Sequence, residues 1–151
     1  MEDRYLFHGK RIDTGEWIVG SLLVDKQQDI DTGEQIEITG IYPSEYKDFA
    51  KKIDPSTICQ CTGRNDKNGK LIYENDIMVA YYDEENPEHG TYVMVTWREY
   101  GWVTVENNSD DPCPLDDFTI KHFEVVGNMI DNPELLNPAN KCQEFFEEKF
   151  T

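Results

Sequence analysis

Cys61-Thr62-Gly63-Arg64-Asn65-Asp66-Lys67-Asn68-Gly69-Lys70-Leu71-Ile72-Tyr73-Glu74-Asn75-Asp76-Ile77 is the stretch on which the fold turns. Asn68-Gly69 is the strongest turn signal in the chain, because a tight hairpin turn needs positive φ at its centre. A strand is read before it, over Thr57 to Thr62, and another after it, over Lys70 to Tyr73. Glu74-Asn75 interrupts the second strand, which resumes over Asp76 to Tyr82. Asn75 suits a left-handed backbone. Ile72, Ile77 and Val79 are core candidates.

Downstream, Tyr92 to Trp97 alternates, with Val93, Val95 and Trp97 on one face and Tyr92, Met94 and Thr96 on the other. Trp102 to Glu106 pairs with it across Arg98-Glu99-Tyr100-Gly101. Asn107 to Asp117 reads as a polar loop, and Phe118 to Gly127 as a last strand region. Glu134-Leu135-Leu136 is a short turn. Upstream, two runs rich in β-formers, Tyr5–Ile12 and Glu16–Val24, flank Asp13-Thr14-Gly15, which is a hairpin signal. Val24 to Gln35 reads as a loop or second turn, and Glu37 to Tyr42 as a strand. Pro43 to Lys52 reads as a short helix, with Ser44 as N-cap and Tyr46, Phe49 and Ala50 as its apolar stripe. The predicted fold is mainly β with an α+β tendency. It has an N-terminal β-hairpin region over residues 1–54 and a small SH3-like, barrel-like sheet over 55–136. A helical tail over 137–151 follows, whose Cys142, Phe145, Phe146 and Phe150 recur at spacings of three and four.

The chain has 151 residues, with 31 acidic and 14 basic side chains and a net charge of −17. One domain is the default at this length, and a core forms without disulfides or metal. The charge argues against a general nucleic-acid binder and against docking on anionic membranes. Residues 71–120 hold 12 acidic side chains and one basic side chain, Arg98. No apolar run approaches membrane-spanning length, and no secretory signal is visible at Met1-Glu2-Asp3-Arg4. The expected setting is therefore a reducing cytoplasm with free thiols at Cys59, Cys61, Cys113 and Cys142.

Candidate chemistry is sparse. Asp-Thr-Gly, the aspartic-protease tripeptide, occurs at Asp13 and at Asp31. The copies lie 18 residues apart, too close for each to occupy its own lobe, and Glu16 and Glu34 follow where that class has a small residue. Two surface turns are the plainer reading. Cys59-Gln60-Cys61 lies in a strand and lacks the spacing of a zinc knuckle, so buried free thiols are expected. His8, His89 and His122 sit in no metal or nucleophile motif. Asp83-Glu84-Glu85-Asn86-Pro87-Glu88 and Asn107-Asn108-Ser109-Asp110-Asp111 are oxygen-rich but lack a calcium-loop pattern, and read as solvated acidic loops. No cofactor is expected.

The central stretch quoted above resembles the signature of the YopX family. So does Phe123-Glu124-Val125-Val126-Gly127-Asn128-Met129-Ile130-Asp131-Asn132-Pro133-Glu134-Leu135-Leu136, and Phe7-His8-Gly9-Lys10-Arg11 with Gly15-Glu16-Trp17 is similar to its opening. The resemblance spans most of residues 4–136. Asn75 stands where the family pattern usually has Gly, and both residues tolerate a left-handed turn. Membership implies a small protein of bacteriophages or prophages that works inside the bacterial cell as a homo-oligomer. It brings no established activity, cofactor or catalytic residue.

The first functional expectation is therefore a non-enzymatic accessory protein acting through protein–protein contacts, as a homo-oligomer or with a host or phage protein. Its candidate contact residues are Phe145, Phe146 and Phe150. The second is an acidic decoy that imitates DNA's charge and occupies a host DNA-binding protein, with Glu84, Glu85, Asp110 and Asp111 as contacts. The third is a carboxylate-based hydrolase using Asp13 or Asp31.

Overall fold

The computed structural model describes residues 3–43, 49–81, 90–106 and 111–136. The chain divides into two compact units, Met1–Gly63 and Arg64–Thr151.

The first unit is an antiparallel sheet of β1 (Phe7–Lys10), β2 (Trp17–Gln28), β3 (Gln35–Pro43), β4 (Lys51–Lys52) and β5 (Cys59–Asn65), in the order β4-β3-β2-β1-β5. The expected N-terminal hairpin is present, with β1 and β2 in register from Phe7↔Gly20 to Lys10↔Trp17. Its core holds Ile41, Ile53, Cys59 and Cys61, all essentially without exposure. The period-2 spacing of Cys59 and Cys61 sends both thiols inward, as expected for buried free cysteines. Gly20 lets two chains approach closely: a Cβ there would lie 1.9 Å from the Tyr42 carbonyl oxygen.

Two expectations for this unit are corrected. Val24–Gln28 is strand rather than loop, because β2 and β3 pair without a slip from Gly20↔Pro43 to Gln28↔Gln35. The polar side chains there hide the strand from sequence reading, since neither face of the pair is buried at that end. The short helix expected over Pro43–Lys52 does not include its ends: Pro43 closes β3, and Lys51–Lys52 is a strand paired with Gly40 and Ile41. Phe49 and Ala50 are exposed, so they supply no apolar stripe. Ser44 and Tyr46 lie outside the described residues.

The second unit contains β6 (Leu71–Tyr73) and a five-stranded antiparallel sheet. That sheet consists of β7 (Asp76–Tyr81), β8 (Gly90–Arg98), β9 (Gly101–Glu106), β10 (Cys113–Pro114) and β11 (Glu124–Asn128), ordered β10-β9-β8-β7-β11. Helix α1 (Asp117–His122) connects β10 to β11. The core is Ile72, Met78, Val93, Val95 and Leu115, with Trp102, Ile120, Phe123 and Val125 packed on it. Trp97 shares the face of Val93 and Val95 but lies at the sheet's end. There it stays 55% exposed and meets Trp102 edge-on at 5.1 Å. The expected strand over Phe118–Gly127 is corrected: its first half is helix. Asp116 caps that helix, accepting from the Thr119 N–H at 2.9 Å, and Lys121 and His122 stand at its C-terminal end, where the helix dipole favours cations. Cys113 is exposed, so buried-thiol behaviour does not extend to it. Residues 133–136 form the expected turn, as a 3-10 helix. The helical tail over 137–151 lies outside the described residues.

Two buried aspartates organise the second unit. Asp66 Oδ1 accepts from the backbone N–H of Asn68 and of Lys70, each at 2.9 Å, while Oδ2 accepts from the Val125 N–H at 2.8 Å. Gly69 takes φ +82°, as the Asn-Gly turn requires. Asp76 Oδ2 accepts from the Tyr73 N–H at 2.8 Å, bracing the Glu74-Asn75 turn. Asn75 has φ +69°, its N–H donates to Val95, and its carbonyl accepts from Met129. Burial pushes the Asp76 carboxyl up to about 7, and the nearby Asp66 charge adds to the rise. The Tyr73 N–H and Lys70 oppose it.

A raised carboxyl pKa means that the folded state holds a proton the unfolded chain has released. In the unfolded chain this group titrates near 3.8. Its contribution to stability is therefore full below that value, falls as pH rises towards about 7, and is level above it. Asp76→Asn should remove this fall, worth on the order of a few kcal/mol by linkage. Urea unfolding of wild type and variant at pH 5 and pH 8 reads it: the variant gains on wild type at pH 8. Equal pH dependence in both would contradict the assignment.

Candidate interaction surface

The β2–β3 ribbon has two halves. Near its base, β2 pairs with β1 from Trp17 to Gly20, and β3 pairs with β4 at Gly40 and Ile41. Beyond that, the ribbon's strands pair with each other up to Gln28↔Gln35. Opposite residues share a face, and faces alternate along each strand. One face carries Leu22, Ile41 and Thr39, then the opposite charges of Lys26 and Glu37. Ile41 and Thr39 are buried there. The other face carries Tyr42, Leu23, Ile38 and Ile36 in an apolar stripe, with Ser21, Asp25 and Gln27 beside it. Leu23, Ile36 and Tyr42 keep between 42% and 47% exposure. An aliphatic and aromatic stripe open to solvent along one strand pair makes this face a candidate contact surface.

The ribbon is bounded by two copies of one turn. Ile12-Asp13-Thr14-Gly15-Glu16 and Ile30-Asp31-Thr32-Gly33-Glu34 repeat the same residues. In the first, the Arg11 N–H donates to Glu16 and the Gly15 N–H to Arg11. In the second, the Asp29 N–H donates to Glu34 and the Gly33 N–H to Asp29. Thr14 and Thr32 hydroxyls accept from Glu16 and Glu34 N–H groups. Gly15 and Gly33 take φ +73° and +71°. Only the bracing differs. Arg11 grips the Asp13 carboxylate at 2.8 and 2.6 Å, holding its pKa down. Asp29 Oδ1 accepts from the Asp31 and Thr32 N–H groups, and these bonds hold the Asp29 carboxyl down as well. Ile30, at the ribbon's tip, is 98% exposed.

This placement decides the carboxylate question within one chain. Asp13 precedes β2 and Asp31 follows it. A twelve-residue strand spans about 40 Å at 3.3 Å per residue, so these two carboxylates cannot share a proton. Both belong to exposed turns. Cys59 and Cys61 are core residues and Cys113 is at the surface. Among the described residues, no three of His, Cys, Asp and Glu gather as metal ligands. His8 stacks on Trp17 at 4.4 Å, and exposed His122 lies against Phe118. Phe145, Phe146, Phe150, Glu84, Glu85, Asp110, His89 and Cys142 lie outside the described residues. Asp111 is exposed. Sequence reasoning missed the ribbon's stripe. The available signal was the alternation of Ile36 and Ile38, and Leu23 continuing into Val24 with no Gly, Pro or Asn before Asp29.

Among the described residues, no helix is long and apolar enough to cross a membrane. The family model described as YopX protein matches residues 11–137. No curated protein matches the chain. The fold is similar to that in the crystal structure of protein EF1440 from Enterococcus faecalis. The TM-score is 0.52 and the identity 20%, over 86% of this chain and 96% of that one.

Because the turns work through their positive φ, Gly15→Ala and Gly33→Ala should each cost about 1 kcal/mol. Asp31→Asn, at an exposed carboxylate, should cost under about 0.5 kcal/mol. Thermal unfolding of the three variants checks both. A larger loss from Asp31→Asn than from Gly33→Ala would contradict the reading of this tripeptide as a turn.

Proposed function

Since the chain belongs to the YopX family, we propose that it is a phage or prophage accessory protein that works inside the bacterial cell by protein–protein contact. Its contacts include copies of itself, through the outward face of the β2–β3 ribbon. The observation that carries this reading is the solvent-open stripe of Leu23, Ile36 and Tyr42, with half-buried Ile38 in line with them. Covering a half-exposed aliphatic side chain returns on the order of 1 kcal/mol. Two stripes laid face to face about a two-fold axis therefore gain several times that. The ribbon suits such a contact, because packed sheets sit about 10 Å apart with interdigitated side chains.

Charge sets the salt dependence. Each copy carries a net −17, and Asp25 and Glu37 lie on the ribbon's strands, with Glu34 in the turn at its tip. Like charges oppose association, so added salt should strengthen it by screening. A decoy that imitated DNA's charge would show the opposite trend and lose its partner as salt rises.

Sedimentation equilibrium over a range of concentration and salt tests the proposal. Wild type should form a defined oligomer that tightens as salt rises. Leu23→Asp with Ile36→Asp should shift dissociation by at least about tenfold, while the exposed sites leave folding nearly unchanged. A wild type that stays monomeric throughout, or a double variant that assembles like wild type, would contradict it.

A further inference from the structure

We propose that a cleft in the second unit binds a short peptide segment of another protein, one carrying an apolar side chain between lysines or arginines. The cleft encloses about 490 Å³ between the β9–β10 edge and helix α1. This is within the usual range of ligand sites. Its apolar part is made by Val93, Pro114, Phe118 and Phe123. Val93 is a core residue and Phe123 packs against the core, so this part of the wall is fixed. Phe118 stands in the first turn of α1 and is 73% exposed. It is an aromatic lip with little to gain from facing water.

The charged part of the lining has one sign. Glu106, Asp111 and Asp116 contribute carboxylates from the end of β9, the approach to β10 and the cap of α1. Among the described lining residues, none is Lys or Arg. Hydrogen bonds from Thr119 hold the Asp116 carboxyl below its ordinary pKa, so it stays anionic while capping the helix. Three carboxylates on three separate elements are matched by a ligand with more than one cation. An apolar wall beside them is matched by an aliphatic or aromatic group on the same ligand. A peptide with basic residues around an apolar one meets both demands. The cleft shares no residue with the ribbon, and the proposal does not depend on self-association.

The test is a chemical-shift titration of the full chain with the peptide acetyl-Arg-Leu-Lys-Phe-Arg-amide, beside a control with serine at its two apolar positions. The expected shifts centre on Val93, Thr104, Phe118, Thr119 and Phe123, with the control at least about tenfold weaker. Phe118→Ser should weaken the first peptide by a similar factor, with the variant's fold verified by its unchanged thermal midpoint. Glu106→Gln should lower affinity modestly and flatten its salt dependence. Equal binding of both peptides with shifts spread over the acidic surface would overturn the proposal in favour of diffuse charge attraction. Binding indifferent to Phe118→Ser, or no binding at millimolar peptide, would overturn it outright.

Discussion

The Asp66 carboxylate is the constraint from which the second unit is built. It accepts three backbone N–H groups, two inside its own turn and one at Val125, 59 residues further along the chain. A local turn signal is thereby converted into a long-range tie. The Lys67 N–H adds a bond to the Phe123 carbonyl, and the Asn68 amide reaches the Glu124 carboxylate at 2.9 Å. The start of β11 is held to the turn by backbone geometry, and Val125 then reaches the core cluster of Ile72 and Met78. Without the carboxylate, three buried or part-buried donors would be orphaned, each costing roughly 1–3 kcal/mol. Asp76 repeats the device one turn later, where Asn75 in turn bonds both Val95 and Met129. These are structural aspartates, which explains why the family-like stretch reads as a folding signature.

Legibility followed the range of the interaction. Asn68-Gly69 and Asn75 were readable because positive φ is a local demand that few residues meet. The paired Ile-Asp-Thr-Gly-Glu turns were readable for the same reason, and their chemistry as turns outweighed their likeness to a protease motif. Helix α1 was hidden. Six residues are too few for a helical period to stand out, and the cap at Asp116 sits within a run of Pro and Asp that reads as loop. The distal half of β2 was hidden because Asp25-Lys26-Gln27-Gln28 has no buried face to impose alternation. It is strand because β3 is paired to it. The role of Asp66 towards Val125 was hidden altogether, since no local pattern records a bond over that separation.

In the proposed function, the β2–β3 ribbon is where copies of the chain meet. Its inward face ends at Thr39 and Ile41, and the outward stripe has no counterpart within the ladder of β2 and β3. Asp29, Asp31 and Glu34 crowd the tip and Asp25 stands beside the stripe, which discourages indiscriminate adhesion and leaves an apolar stripe of defined register. A contact built from shape and apolar area, rather than from charge, is what a chain of net −17 would need to meet its own copies.

The most direct measurement is hydroxyl-radical footprinting of the wild-type protein at high and low concentration, read at Leu23, Ile36, Ile38 and Tyr42. Protection of these four at high concentration, with Tyr100 on the β8–β9 turn equally labelled at both, is the predicted result. Equal labelling of the four side chains at both concentrations would contradict the claim that this face joins copies of the chain.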